Sequence, residues 1–327
     1  MQQKARRHLG TKARSGSLVV VMTLALLTGC ATQKPREPVA FEIQDWNFGK
    51  QPGSKVITEH YEIYTTLQHR VLLEALPDFV EAAYANYQRL VTPVRQPEGR
   101  MRVYLLASRT QWETFTRRFT GSRADKFLKV HNGGYSERGV SVIEYVSHDV
   151  TFPLFAHEGF HQYLYYHLNL RIPAWLNEGL AVCCEGQRWG ASSLERFDPW
   201  FNPQRSNELA AALSLNRLHP LKTLLETDAG RMIEGNSRSI GTYYSEIWAL
   251  ILFLQEGENG KYAADFKRLL AALGDENLEQ FARASYIWSE SETFNFGEAL
   301  FRTFISEDLA TVEKEYFAFM RTRFGGK

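Results

Sequence analysis

The chain has very little cysteine: three residues in 327, of which Cys183 and Cys184 are adjacent. Neighbours in sequence rarely meet disulfide geometry, so a fold stapled by cross-links is excluded. The pair reads instead as two small side chains on a helix, at least one of them buried. An excess of charge is also lacking. The formal net charge is +1, and it falls to −4 once the five basic residues of the first thirty (Lys4, Arg6, Arg7, Lys12 and Arg14) are set aside. That balance argues against a nucleic-acid partner. The apolar run from Leu18 to Leu27 is shorter than the roughly 20 residues that a bilayer span takes. Neither an internal repeat nor a long low-complexity segment interrupts the chain. Its composition is that of an ordinary globular protein, with enough length for one large domain or two modest ones.

What is present at the start reads as an export signal over residues 1–30: a basic stretch to Arg14, the short apolar run, then Leu27-Thr28-Gly29-Cys30. That ending resembles a bacterial lipobox, which implies that Cys30 becomes the lipidated first residue of an exported protein. Ala31, rather than an aspartate, follows the cysteine. In a Gram-negative cell this implies the outer membrane. Residues 31–54 hold Lys34-Pro35-Arg36-Glu37-Pro38 and Pro52-Gly53-Ser54 without sustained periodicity, so a flexible tether is expected there and a folded domain over 55–327.

Within that domain, β-type runs are expected at Val56 to Thr65 and Arg102 to Leu106. Between them Leu76, Val80, Ala83, Tyr84, Tyr87 and Leu90 recur at helical spacing, with Pro77 starting or kinking the helix. A third β-type run spans Gly139 to Tyr145. From Phe152 onward the pattern is almost wholly helical, including Tyr243 to Gln255, Ala263 to Leu273 and Leu309 to Phe324. The outline is α+β: a mixed lobe over 55–170 with a small sheet, then a mainly helical lobe over 171–327.

The chemistry concentrates in His157-Glu158-Gly159-Phe160-His161. Residues four apart on a helix project from one face, so two imidazoles can meet one ion, Zn2+ by preference, while the carboxylate of Glu158 lies beside it as a base. A local helix is expected, with Thr151 as its cap, Pro153 in its first turn and Leu154, Phe155, Phe160 and Leu164 as apolar contacts. Gly159 is the exception, since it costs a helix about 1 kcal/mol relative to alanine and calls for a packing or access reason.

Two imidazoles underfill a zinc site, and Glu178 is the expected third ligand. It lies in Pro173-Ala174-Trp175-Leu176-Asn177-Glu178-Gly179, on a second helix that Pro173 can start and Gly186 end, far enough from His161 for the chain to turn and return. The competitor is His167, ten residues after His157. It would need a sharp turn at Leu164, and on a continuing helix it lies about 240° around from His161.

HExxH followed by Trp-Leu-Asn-Glu-Gly resembles the gluzincins, particularly the bacterial peptidase-MA-like proteins, with a more distant likeness to zinc aminopeptidases. The likeness is sharpest from Phe152 to Glu185. It implies a zincin-like fold, peptide-bond hydrolysis, and Glu178 as ligand. Glu185 is a candidate to support the metal ligands by hydrogen bonding, or a plain solvated glutamate. The segment Tyr243-Tyr244-Ser245-Glu246 is similar to a family element whose leading tyrosine donates to the developing oxyanion; Tyr244 aligns best, with Tyr243 in reserve. Yet Tyr244, Ile247, Trp248, Ile251 and Leu252 also form one apolar stripe on which a tyrosine is simply core. The Gly-Xaa-Met-Glu-Asn element of the aminopeptidases has no counterpart before His157, and Gly230-Arg231-Met232-Ile233-Glu234 lies on the wrong side of the site. Cleavage inside a peptide or protein chain is therefore expected, and an inactive binding or scaffolding lipoprotein of the same fold is the alternative.

The run at Gly139 to Tyr145 is either the sheet-edge strand that binds an extended peptide or an ordinary sheet strand. His131, His148 and His219 carry no spacing to the metal and read as surface or turn residues.

Overall fold

The computed structural model describes residues 39–325, apart from 131–132, 169–171, 191–192, 228–236 and 286–292. The expected signal, Cys30, His131 and the whole Gly230 to Glu234 segment lie outside the described residues.

Short alternating runs build a six-stranded sheet from β1 (Glu42–Phe48), β2 (Gln51–Ile57), β3 (Tyr61–Thr65), β4 (Met101–Leu106), β5 (Gly134–Glu137) and β6 (Val140–Glu144), in the order β1-β2-β3-β4-β6-β5. The neighbours β3, β4 and β6 run parallel, and the outer pairs are antiparallel. Parallel neighbours need crossover helices. Here α1 (Arg70–Leu90) links β3 to β4, while α2 (Arg109–Thr120) and the short α3 (Ala124–Phe127) lie between β4 and β5. A small cluster of Leu106, Trp112, Tyr135 and Val142 binds α2 to the sheet, and Trp112 Nε1 donates to the Val142 carbonyl.

Three expectations are corrected here. The residues read as a tether include β1 and the start of β2, so the folded part begins by Glu42. Gly53 sits inside β2 because a Cβ there would come 2.4 Å from the Thr65 carbonyl oxygen and 3.0 Å from the Trp46 ring, which covers the space left open. The run from 56 to 65 is two strands, broken by a turn in which Thr58 N donates to the Tyr61 carbonyl. Pro77 does not start α1: His69 caps the helix and Pro77 is buried inside it. Of the two readings of the run at Gly139 to Tyr145, the ordinary sheet strand holds: β6 is interior, Gly139 belongs to the two-residue turn before it, and among the described residues β5 is the edge.

The helix α4 (His148–His167) packs on α1, β5 and β6, burying Phe152, Phe155, Phe160 and Tyr163. Each such aromatic removed from water contributes about 2 kcal/mol. The helix starts one turn earlier than Thr151, whose hydroxyl instead accepts from Val146 N, so Pro153 stands beyond the first turn. Gln162 fixes the helix to the sheet: its Nε2 donates to the carbonyls of Arg102 and Gly139, both at 2.7 Å.

Then come α5 (Ala174–Glu185), with Pro173 and Gly186 at its ends, and a hairpin that the helical reading did not anticipate, β7 (Gln187–Trp189) and β8 (Leu194–Phe197). The remaining described elements are helical: α6 (Pro203–Ser214), α7 (Leu221–Glu226), α8 (Ser237–Glu256), α9 (Ala263–Ala272), α10 (Leu278–Ser285), α11 (Phe296–Phe304) and α12 (Leu309–Phe324). The apolar core runs unbroken from Val56 to Met320, across the position where two lobes were expected to part. Cys183 and Cys184 are both buried in it as free thiols. The fold is α+β.

Candidate metal centre

Helical periodicity puts His157 and His161 on one face of α4, their ring centroids 4.9 Å apart. The helix α5 packs against that face and brings Glu178 to both rings: its Oε2 lies 3.3 Å from His157 Nε2 and 3.3 Å from His161 Nε2. One ligand atom from each residue falls within 4.8 Å of the others.

Each imidazole is held from behind. His157 Nδ1 donates to Glu185 Oε1 at 2.9 Å, and His161 Nδ1 donates to Asn177 Oδ1 at 3.0 Å. With Nδ1 committed as donor, each ring turns an Nε2 lone pair toward Glu178. Glu178 Oε2 is buried and has no hydrogen-bond partner. An orphaned carboxylate oxygen facing two bare imidazole nitrogens is the arrangement that a bound cation satisfies, and the nitrogen–oxygen donor set suits zinc.

The electrostatics agree. Burial pushes His157 down, yet the adjacent carboxylates of Glu178 and Glu185 outweigh it and lift the imidazole to about 10. Burial likewise opposes ionisation of Glu178, but the two histidines hold its carboxyl well below the ordinary range. The pocket therefore attracts positive charge. Glu158 is buried beside this group; burial raises its carboxyl, the histidines lower it, and the net direction is upward, toward a better base.

Of the other sites read from the sequence, Glu185 is at the back of His157 rather than in solvent. Tyr244 is half-buried with its ring centroid 6.1 Å from that of His157, whereas Tyr243 is buried in the core. Burial, then Glu178 and Glu158, push the Tyr244 phenol well up, so it is a hydrogen-bond donor at neutral pH. His167 is away from the cluster: Tyr84 donates to its Nε2, and its Nδ1 donates to the Arg95 carbonyl. His148 is half-buried beside Phe152 and Trp189, and His219 pairs with Glu246.

The chain matches no family model and no curated protein. The site therefore rests on its own geometry.

Sequence reasoning missed Asn177, Asn202 and Arg205. Asn177 precedes the glutamate ligand candidate directly and so was within reach of a helical-wheel argument. Asn202 and Arg205 come from α6, which only the tertiary fold brings to Glu185. Two cavities flank the cluster. One, of about 830 Å³, touches His161, Asn177, Glu178, Leu164 and Phe296. The other, of about 810 Å³, is lined by Val150, Leu154, Glu185, Trp189, Phe201 and Arg205.

Proposed function

We propose that the protein is a zinc-dependent peptide hydrolase of gluzincin type with a zincin-like fold, exported and lipid-anchored through Cys30, on the periplasmic face of the outer membrane if the cell is Gram-negative. The observation that carries the reading is Glu178 Oε2, buried, unpartnered and 3.3 Å from the Nε2 of both His157 and His161. When bound, the ion supplies a Lewis acid that polarises the scissile carbonyl and acidifies the attacking water. His157, His161 and Glu178 hold it. Glu158 accepts the water's proton and returns it to the leaving amine, and the Tyr244 hydroxyl donates to the oxyanion.

Cleavage within a chain follows from the space on both sides. Val150 and Leu154 of one cavity and Leu164 of the other lie along α4 with His157 and His161 between them. From Val150 to Leu164 that helix extends about 21 Å, room for roughly six residues of extended peptide. Among the described residues the antiparallel strand β5 is the sheet edge packed beside α4, and such a peptide would pair with it by strand addition.

The test is purified protein assayed for bound zinc and for cleavage of an unfolded protein, beside Glu158→Gln. The variant should hold zinc and cleave nothing. A parent that binds no zinc defeats the proposal, and a parent with zinc that cleaves nothing in a broad substrate set favours the scaffolding alternative.

A further inference from the structure

Resting on the reading of His157 as a zinc ligand, we propose that Arg205 is a positioning residue for the metal centre, fixing Glu185 and through it the ring of His157. Its guanidinium grips the carboxylate with two hydrogen bonds, Nη2 to Oε1 at 3.1 Å and Nε to Oε2 at 3.3 Å. Such a fork sets the plane of a carboxylate as well as its place, which a single ammonium cannot do. Asn202 completes the grip. Its Nδ2 donates to Glu185 Oε2 at 2.8 Å, while its Oδ1 accepts from Arg205 N and caps α6. The carboxylate of Glu185 is thus left with one free direction, toward His157 Nδ1.

Arg205 is itself immobilised. Its Nη1 donates to Glu208 Oε2, which accepts in turn from Ser245 Oγ on α8. The guanidinium carbon also stands 5.3 Å from the ring centroid of Tyr244. One side chain, 15% exposed, therefore joins α6 to the back of a metal ligand and to the face of the oxyanion donor. Ordering of this kind decides whether His157 meets the ion at the angle its lone pair needs, and removing such an outer partner costs roughly 10- to 100-fold in metal affinity.

Zinc affinity measured by chelator competition on the full protein, with no activity assay, tests the proposal. Arg205→Met should bind zinc about 10- to 100-fold more weakly than the parent, and Arg205→Lys, which keeps the charge but loses the fork, should also bind more weakly. If the guanidinium acted only as a charge, taking a cation away would tighten zinc binding. An Arg205→Met affinity that is equal or tighter overturns the proposal. Should Arg205→Met fail to fold by circular dichroism, Arg205→Lys decides: parental affinity overturns the role, and weakened affinity with an unchanged metal-free melting temperature supports it. A parent that binds no zinc would instead defeat the metal centre itself, so the two failures are distinguishable.

Discussion

Gly159 of α4 lies directly beneath Tyr87 of α1: a Cβ at that position would come 2.5 Å from the phenol oxygen, which donates to the carbonyl of Ala156 on the same helix. The glycine between the two histidines is therefore a contact surface between helices. Without it α1 could not approach, and α4 would be displaced from the position at which its imidazoles meet Glu178.

Gly159→Ala follows as the first prediction. Alanine improves helix propensity by about 1 kcal/mol, but Tyr87 is wholly buried and its ring has nowhere to go. Overpacking of this kind costs about 1 to 3 kcal/mol, so a net loss of stability is expected in urea unfolding. The double variant Gly159→Ala, Tyr87→Phe should recover part of it, since the clashing atom is gone. A Gly159→Ala protein more stable than the parent would show that the contact yields freely.

Zinc should raise thermal stability, because an ion that binds the folded chain alone contributes about 2.7 kcal/mol at a hundredfold excess over its dissociation constant. A chelator should reverse the shift. In Glu178→Gln the shift should largely vanish, because a neutral amide replaces the carboxylate that faces both imidazoles. Equal zinc-induced shifts in parent and variant, read by differential scanning fluorimetry, would remove Glu178 from the ligand set.

The parts of the molecule legible in sequence were those governed by local periodicity. His157 and His161 share a face because four residues make about one helical turn, and Tyr243 to Gln255 and Leu309 to Phe324 follow their apolar stripes closely. The tether was misread because β1 alternates with mainly polar residues and β2 contains Pro52 and Gly53, which are turn signals in isolation. Only the cross-strand neighbour Trp46, lying on Gly53, shows why glycine belongs there. Glu185 was legible as a candidate support for His157, but a solvated glutamate stood equally open, because Arg205 and Asn202 reach it from seventeen or more residues downstream.

Alkaline pH should loosen the joint between α7 and α8. Glu246, fully buried, accepts from both the backbone N and Nδ1 of His219, and this hydrogen bond holds the imidazole above its ordinary value while burial opposes it. A histidine with a raised folded-state value contributes stability in full below its unfolded value of about 6.5, and the contribution fades as pH climbs through the folded value. Between pH 6 and pH 9 the parent should therefore lose more stability in urea than His219→Gln does. Parallel pH profiles for the two proteins would assign no such role to the pair.

Tyr244 and Tyr243 are adjacent, and their surroundings assign them different work. Tyr243 is 1% exposed in the core, while Tyr244 lies beside His157, with Arg205 over its ring, and burial together with the charges of Glu178 and Glu158 raises its phenol. Tyr244→Phe preserves the ring and its packing and removes only the hydroxyl. If that hydroxyl donates to the oxyanion, kcat should fall by about 10²- to 10³-fold, with KM, zinc content and melting temperature near those of the parent. Tyr243→Phe should leave kcat within a few-fold, because its ring is buried in the core. A Tyr244→Phe enzyme of parental kcat would return the residue to the apolar stripe of α8 and leave the oxyanion to the ion and the backbone.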